Sequence, residues 1–554
     1  MSQSYLLLIA LLLPLIGAVL LWIIAPAGRD AVRYTALGVS LITLLAAGAA
    51  VNGYVQAESI DPGTSVAITD YPWLTTRLFD IRFNIGLDGL GVWMFALSAL
   101  LFVTSVLVSW EAIKDREPLF YGMLLLLEFG CLGVFTARDV ILFYVFFEFT
   151  LIPLFFLIGI WGSEQRRYAA IKFFLFTLAG SLLTFLGLLA IVLWDYQSHS
   201  ALRFSIPELT QSLIERPMPA NMQLWVFLAL FAGFAIKVPL FPVHTWLPLA
   251  HVQAPTAGSV ILAGILLKIG VYGFVRFSMA MLPEGTVTCM PWILWLSVAG
   301  IIYGALVALA QGDMKRLIAY SSVSHLGYCM LGLFALNLPG ANGGLLQMIN
   351  HGLSTGGLFA CVGLLYERYH TREIKQLGGL ARRLPILAFF MLVFTFSSIG
   401  LPGLNGFPGE FMVLLGMFQR GWQDFKLTEQ TMTLLIGVLA MSGVVLGAWY
   451  MLQLVQKTLF GPLKEPELHA EGEYEQEAIS DLSLREILAL APLVVFIVWI
   501  GLRPNDFVPA MDRAVRPVVA RTDAVLLRRW DESQQTADSP VNLPSPQETL
   551  ARAR

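Results

Sequence analysis

Apolar stretches of about 20 residues, separated by short clusters of charge, Pro or Gly, recur along the whole chain. A bilayer core is crossed by a helix of that length, so the pattern predicts an all-α polytopic membrane protein with about fourteen spans. Their approximate limits are 5–24, 33–52, 86–110, 118–135, 139–161, 168–193, 223–243, 254–280, 291–311, 317–336, 344–366, 385–419, 432–459 and 485–502. Residues 53–84, with Asp61, Pro62, Gly63 and Pro72, read as the longest early loop. The first stretch has no Lys or Arg before Arg29 and exceeds the apolar region of a signal peptide, so it is read as a retained helix.

The spans from 118 to 280 and from 291 to 459 compare as two sets of five. In each set the fourth span is interrupted, at Ile236–Pro242 in the first and from Gly400 to Glu410 in the second. An odd number of spans per set makes the second set enter the membrane from the opposite face, which predicts two inverted repeats. Transporters of that design place ion sites at the breaks. The plainer reading is that Pro and Gly only kink a membrane helix and that neighbours satisfy the freed backbone. Residues 1–117 then form N-terminal spans, 460–503 a loop and the last span, and 504–554 an extramembrane tail. That tail is expected to be partly disordered towards Ser539-Pro540 and Ser545-Pro546.

Composition narrows the function. Of 554 residues, 57% are apolar and 13% charged, against about 25% charge in soluble proteins, so a soluble enzyme is excluded. Mean hydropathy is +0.72. The net charge of −3 offers no basic field for nucleic acid. Charge position is more informative. With the N-terminus outside, inward loops carry about 17 Lys/Arg and outward loops about 8, the distribution the positive-inside rule favours. Cys131, Cys289, Cys329 and Cys361 lie far apart without metal-ligand spacing, and no phosphate-binding glycine motif is present. No metal or redox cofactor is therefore expected in this chain, and any redox chemistry it serves belongs to partner chains.

A charge at the centre of an inserted helix costs about 2.5–3.5 kcal/mol on insertion scales, so each one demands a partner, a cavity or a function. Lys237 and Lys268 lie deep in the seventh and eighth spans, and Glu148 deep in the fifth. Desolvation favours a neutral amine and a nearby carboxylate favours a charged one, so a carboxylate that approaches and withdraws would switch a buried lysine. The alternative is a static ion pair that fixes helix positions. His325 and His351, on the tenth and eleventh spans, can accept and donate protons, or serve as hydrogen-bonded packing residues. Glu410, directly after Pro408-Gly409 at the second break, is expected to end the line, or to cap a half-helix whose positive end favours an anion. His244 is placed to feed the seventh span. Glu128 is a further buried acid without a role, and Lys315-Arg316 and Arg166-Arg167 read as cytoplasmic anchors.

The segments Phe147-Glu148-Phe149-Thr150-Leu151-Ile152-Pro153, Lys237-Val238-Pro239-Leu240-Phe241-Pro242-Val243-His244-Thr245-Trp246-Leu247-Pro248, Ala254–Val260, Asp313–Ser322 and Gly400-Leu401-Pro402-Gly403 resemble, as a set, the antiporter-like subunits of respiratory complex I. The resemblance runs over nearly all the spans. A glutamate at the second break resembles the M branch of that family rather than L or N, and residues 504–554 look too short and Pro-broken for the long lateral helix of L. The resemblance implies a proton-translocating membrane subunit of NADH-quinone oxidoreductase. In it Glu148 and Lys237 form a switch, Lys268, His325 and His351 a relay, and Glu410 the terminal group. It also implies NADH, FMN, iron–sulfur clusters and quinone in partner subunits, neighbouring L and N subunits, and a bacterial inner membrane as the location. A multisubunit Na⁺/H⁺ antiporter, the membrane arm of a hydrogenase and a structural scaffold are the alternatives.

Overall fold

A computed structural model describes residues 3–57, 64–199, 201–466 and 479–537. Asp61-Pro62-Gly63 and the Ser-Pro pairs at 539 and 545 lie outside them. The chain opens with α1 (Gln3–Ile24), α2 (Arg29–Gln56), strands β1 (Val66–Thr75) and β2 (Phe79–Leu87), α3 (Val92–Val108) and α4 (Glu117–Thr136). Next come α5 (Val140–Phe149), α6 (Leu151–Trp161), α7 (Arg166–His199), β3 (Leu202–Arg203), α8 (Ile206–Glu215), α9 (Ala220–Lys237) and α10 (Trp246–Gln253). Helices α11 (Thr256–Ile261) and α12 (Leu267–Gly273) are continuous through π-helical turns at Leu262–Leu266 and Phe274–Met279. Then follow α13 (Pro283–Leu309), α14 (Met314–Phe334), α15 (Leu338–Tyr369), α16 (Pro385–Ser398), α17 (Gly406–Thr428), α18 (Met432–Leu459), α19 (Leu484–Leu502) and α20 (Val508–Ala537).

Among the described residues, twelve helices are long and apolar enough to cross a membrane, and α3 and α16 are shorter apolar helices. Each stretch expected from the sequence falls on one of these. Helices α11–α12, α14 and α15 are almost wholly enclosed by the others, whereas α18 and α19 turn most of their apolar surface outward. An interior helix that is apolar all round, with a few polar side chains, is what a bundle in lipid requires.

Both expected interruptions are present. Helix α9 stops at Lys237 because Pro239 lacks the N–H that would continue the helical hydrogen bonds. The chain crosses Val238–Thr245 before α10 begins. The second break lies between α16 and α17, where Gly400 and Gly403 take φ of +71° and +94°, a region costly for other residues.

Two regions differ from the expected loop and tail. Part of the early loop is an antiparallel hairpin, β1 with β2, to which β3 adds in parallel. The alternation Phe79, Ile81, Phe83, Ile85 accounts for β2. Among the described residues beyond 507 the chain forms one helix, α20, 30 residues long, with Pro517 inside it. It buries Val515, Val518 and Val519. It is also tied to helix ends that lie far apart in sequence, by Asn342–Asp512 at 2.7 Å, Arg420–Asp523 at 2.8 Å and Arg529–Glu284 at 2.6 Å. Those contacts fix a helix across one face of the bundle despite its proline.

Candidate proton path

Lys268 is fully buried in the first turn of α12, directly after the π-helical turn. Its Nζ donates to the Ala263 carbonyl within that turn and lies 2.6 Å from His351 Nδ1 on α15. A π-turn widens the backbone and exposes carbonyls, and such turns gather at functional sites. The His351 ring centroid is 5.7 Å from that of His325 on α14. His325 Nδ1 is in turn 3.4 Å from Glu410 Oε1. Four of the expected residues therefore form a continuous buried file, Lys268–His351–His325–Glu410, which ends at the second helix break.

Around Glu410 the structure adds residues that the sequence reading missed. Gln347 Nε2 donates to Glu410 Oε1 at 3.2 Å, and Asn350 Nδ2 donates to Gln347 Oε1 at 3.3 Å. Asn405 Nδ2 donates to the Asn350 carbonyl at 3.4 Å, and Ser397 Oγ donates to Asn405 Oδ1 at 2.5 Å. These buried amides run from the carboxylate to both sides of the break. Their signal in the sequence was Gln347, Asn350 and His351 at helical spacing inside an apolar stretch.

Lys237 is 3% exposed, and its Nζ has no hydrogen-bond partner; it sits 4.6 Å from the centroid of the Phe147 ring. Glu148, the next residue along α5, lies beside the Ser181 hydroxyl and within electrostatic reach of Lys237. No ion pair joins them among the described residues. The expected switch residues thus lie within each other's field without an ion pair. The helix carrying Lys268 packs directly on the end of α9, since a Cβ at Gly270 would lie 2.7 Å from the Phe234 carbonyl oxygen and 2.9 Å from Val238 N. The two lysines belong to separate polar clusters on that shared contact.

His244 stands apart. It is buried against Tyr303 and Phe241, with centroids 5.2 and 5.8 Å away, and touches no member of the file. His251 occupies the position next to the file instead. It is fully buried, stacked on Phe359 at 4.5 Å, and neither ring nitrogen has a partner, with Lys268 and Lys315 as its charged neighbours. Lys315 corrects the anchor reading: it is 6% exposed and reaches the Ala254 carbonyl, while Arg316 is exposed as expected. Lys315, Ser322 and His325 share a face of α14, so the helical period carried this signal. Glu128 is buried between α2 and α4, accepting from Ser40 Oγ at 3.1 Å. Among the described residues no cluster of His, Cys, Asp or Glu could hold a metal ion, and the four cysteines are unpaired.

Residues 137–452, which include both breaks and every residue of the file, match the family described as NADH:quinone oxidoreductase/Mrp antiporter, TM. The chain belongs to that family. It is 40% identical over 501 residues to NADH-quinone oxidoreductase subunit M of Rhodobacter capsulatus, covering 89% of this chain and 92% of the relative. It is also 40% identical over 514 residues to NADH-ubiquinone oxidoreductase chain 4 of Arabidopsis thaliana, covering 92% and 96%. A chain of respiratory complex I from Thermus thermophilus with bound NADH superposes with a TM-score of 0.78 at 32% identity, covering 93% of this chain and 99% of that one. The archaeal membrane-bound sulfane sulfur reductase shares the fold, with a TM-score of 0.75 at 24% identity. Membership of the M branch agrees with the glutamate at the second break.

Proposed function

We propose that this chain is the proton-translocating, antiporter-like subunit M of the membrane arm of NADH-quinone oxidoreductase, and that Lys268, His351, His325 and Glu410 form its transfer path. The observation that carries the path is their continuity: an amine on an imidazole, a second imidazole beside it, and a carboxylate at a helix break. A proton leaving Lys268 passes to His351 Nδ1, crosses between the two rings through a bridging water, and reaches Glu410 from His325. Imidazole suits both transfers because it accepts at one nitrogen and donates from the other.

The Glu148–Lys237 pocket is the switch. Charge movement in a neighbouring subunit draws Glu148 towards or away from Lys237, and the field of Lys237 acts across the Gly270 contact on Lys268. Protons are taken up from the side of Lys315 and His251, with His244 as a more distant intake. The neighbours are the L and N subunits, and NADH, FMN, iron–sulfur clusters and quinone are held by other partners. In this reading the protein lies in the bacterial inner membrane with its N-terminus outside, so the hairpin and α20 face outward. A purely structural scaffold fits poorly, since a charge that only fastens helices is paired, and Lys237 Nζ is not.

Quinone reduction and proton movement measured together in vesicles containing the complex with Lys268→Ala test the path. Proton movement per electron should fall while the complex still assembles. An unchanged ratio would remove Lys268 from it.

A further inference from the structure

Away from the proton path, α2, α3, α15, α19 and the start of α20 enclose a groove of 640 Å³. It follows α2 from Leu44 to Val55, twelve residues, or about 16 Å of helix rise. That is close to half the ~30 Å hydrocarbon thickness, so the groove has the depth of one leaflet. A transmembrane helix of a partner needs twice that length. An acyl chain does not.

The two ends differ in chemistry. At the deep end the lining is Leu44, Leu100 and Leu353; at the mouth it is Asn52, Asp506 and Arg513. Trp93 and Trp499 also stand at the mouth, donating to the Phe507 carbonyl at 3.0 Å and to Asp506 Oδ2 at 2.8 Å. Indoles anchored in this way mark the headgroup level. Asp506 is already paired with Arg503 at 3.2 Å. Arg513 has no ion pair among the described residues: its guanidinium bonds the Tyr54 hydroxyl and lies 5.7 Å from that ring, and its buried Nε has no hydrogen-bond partner. The mouth therefore presents a guanidinium at headgroup depth, above an apolar slot one leaflet deep. A phosphate is the group that complements it.

We propose that this groove binds a glycerophospholipid of the leaflet on the α20 side, with its phosphate on Arg513 and one acyl chain running along α2 to Leu353. Ile349 and Leu353 bracket His351 on α15, so the chain seals the lipid side of the helix that carries the relay. The binding does not depend on the proposed proton path.

The test uses the whole purified complex in vesicles containing a phospholipid with a photoreactive group in its acyl chain. Light should attach the label to α2 near Gly48 and to Leu353. A Cβ added at Gly48 meets no atom within 4 Å, so the first atom of a side chain enters the slot freely and Gly48→Phe places a ring in it. That variant should lose the labelling at Leu353, while labelling of the outward face of α7 stays unchanged. Arg513→Gln should lower retention of the phospholipid through detergent exchange about tenfold, the factor that one charge-assisted hydrogen bond gives. Equal labelling of Leu353 in Gly48→Phe and the unaltered complex would overturn the proposal. So would finding the slot occupied by a quinone or by a helix of a neighbouring subunit.

Discussion

At the break after α9, Lys237 Nζ lies over the face of Phe147 without a hydrogen-bond partner, and Glu148 nearby does not pair with it. At the break between α16 and α17, Glu410 sits in a network: Gln347 donates to it, His325 is 3.4 Å away, and two asparagines and a serine extend the chain of bonds. Both breaks contain proline but hold their ionisable groups oppositely. A group that must change partners during a cycle is left without a fixed one, because every bond made in one state is lost in the other. A terminal group works best when fixed in place, since transfer depends on steady geometry.

That contrast can be broken at several points. Lys237→Ala should have the largest effect, lowering proton movement through this chain on the order of 10²-fold, the scale set by removal of an acid–base group, with the complex still assembled. Simultaneous measurement of proton movement and quinone reduction checks it. Gln347→Leu removes a donor to a buried carboxylate, about 1.5–3 kcal/mol, and should slow proton movement about tenfold while Gln347→Asn recovers part of it. Gly270→Ala pushes α12 off the end of α9 and should cost about 1–3 kcal/mol in thermal stability of the complex, read from its melting. Glu128→Gln should change stability and proton movement least, by less than about 1 kcal/mol, because an amide still accepts from Ser40. A large fall there would show that a third polar site belongs to the mechanism.

The spans, both breaks and the identity of the file residues were legible because lipid imposes a strict grammar: apolar runs of fixed length, with every exception costly. Lys268, His325, His351 and Glu410 stood out as such exceptions. The amides around Glu410 were harder to see, because uncharged polar residues cost little enough to be common in membrane helices. Lys315 and His251 were misjudged or passed over for a different reason. Both lie near helix ends, where a basic side chain reads first as an anchor whatever face it shares; α14 and α10 turn them in. The separation of Lys237 from Glu148 and the isolation of His244 are tertiary facts that depend on rotamers. Helix α20 was hidden by Pro517, which a helix tolerates when contacts along its length hold it.

His351 is the sole direct contact between Lys268 and the rest of the file among the described residues, so its removal tests the central claim most directly. In vesicles containing the complex with His351→Leu, proton movement per electron should fall by the whole share that passes through this chain, while NADH still reduces quinone. Full proton movement at an unchanged ratio would contradict the path.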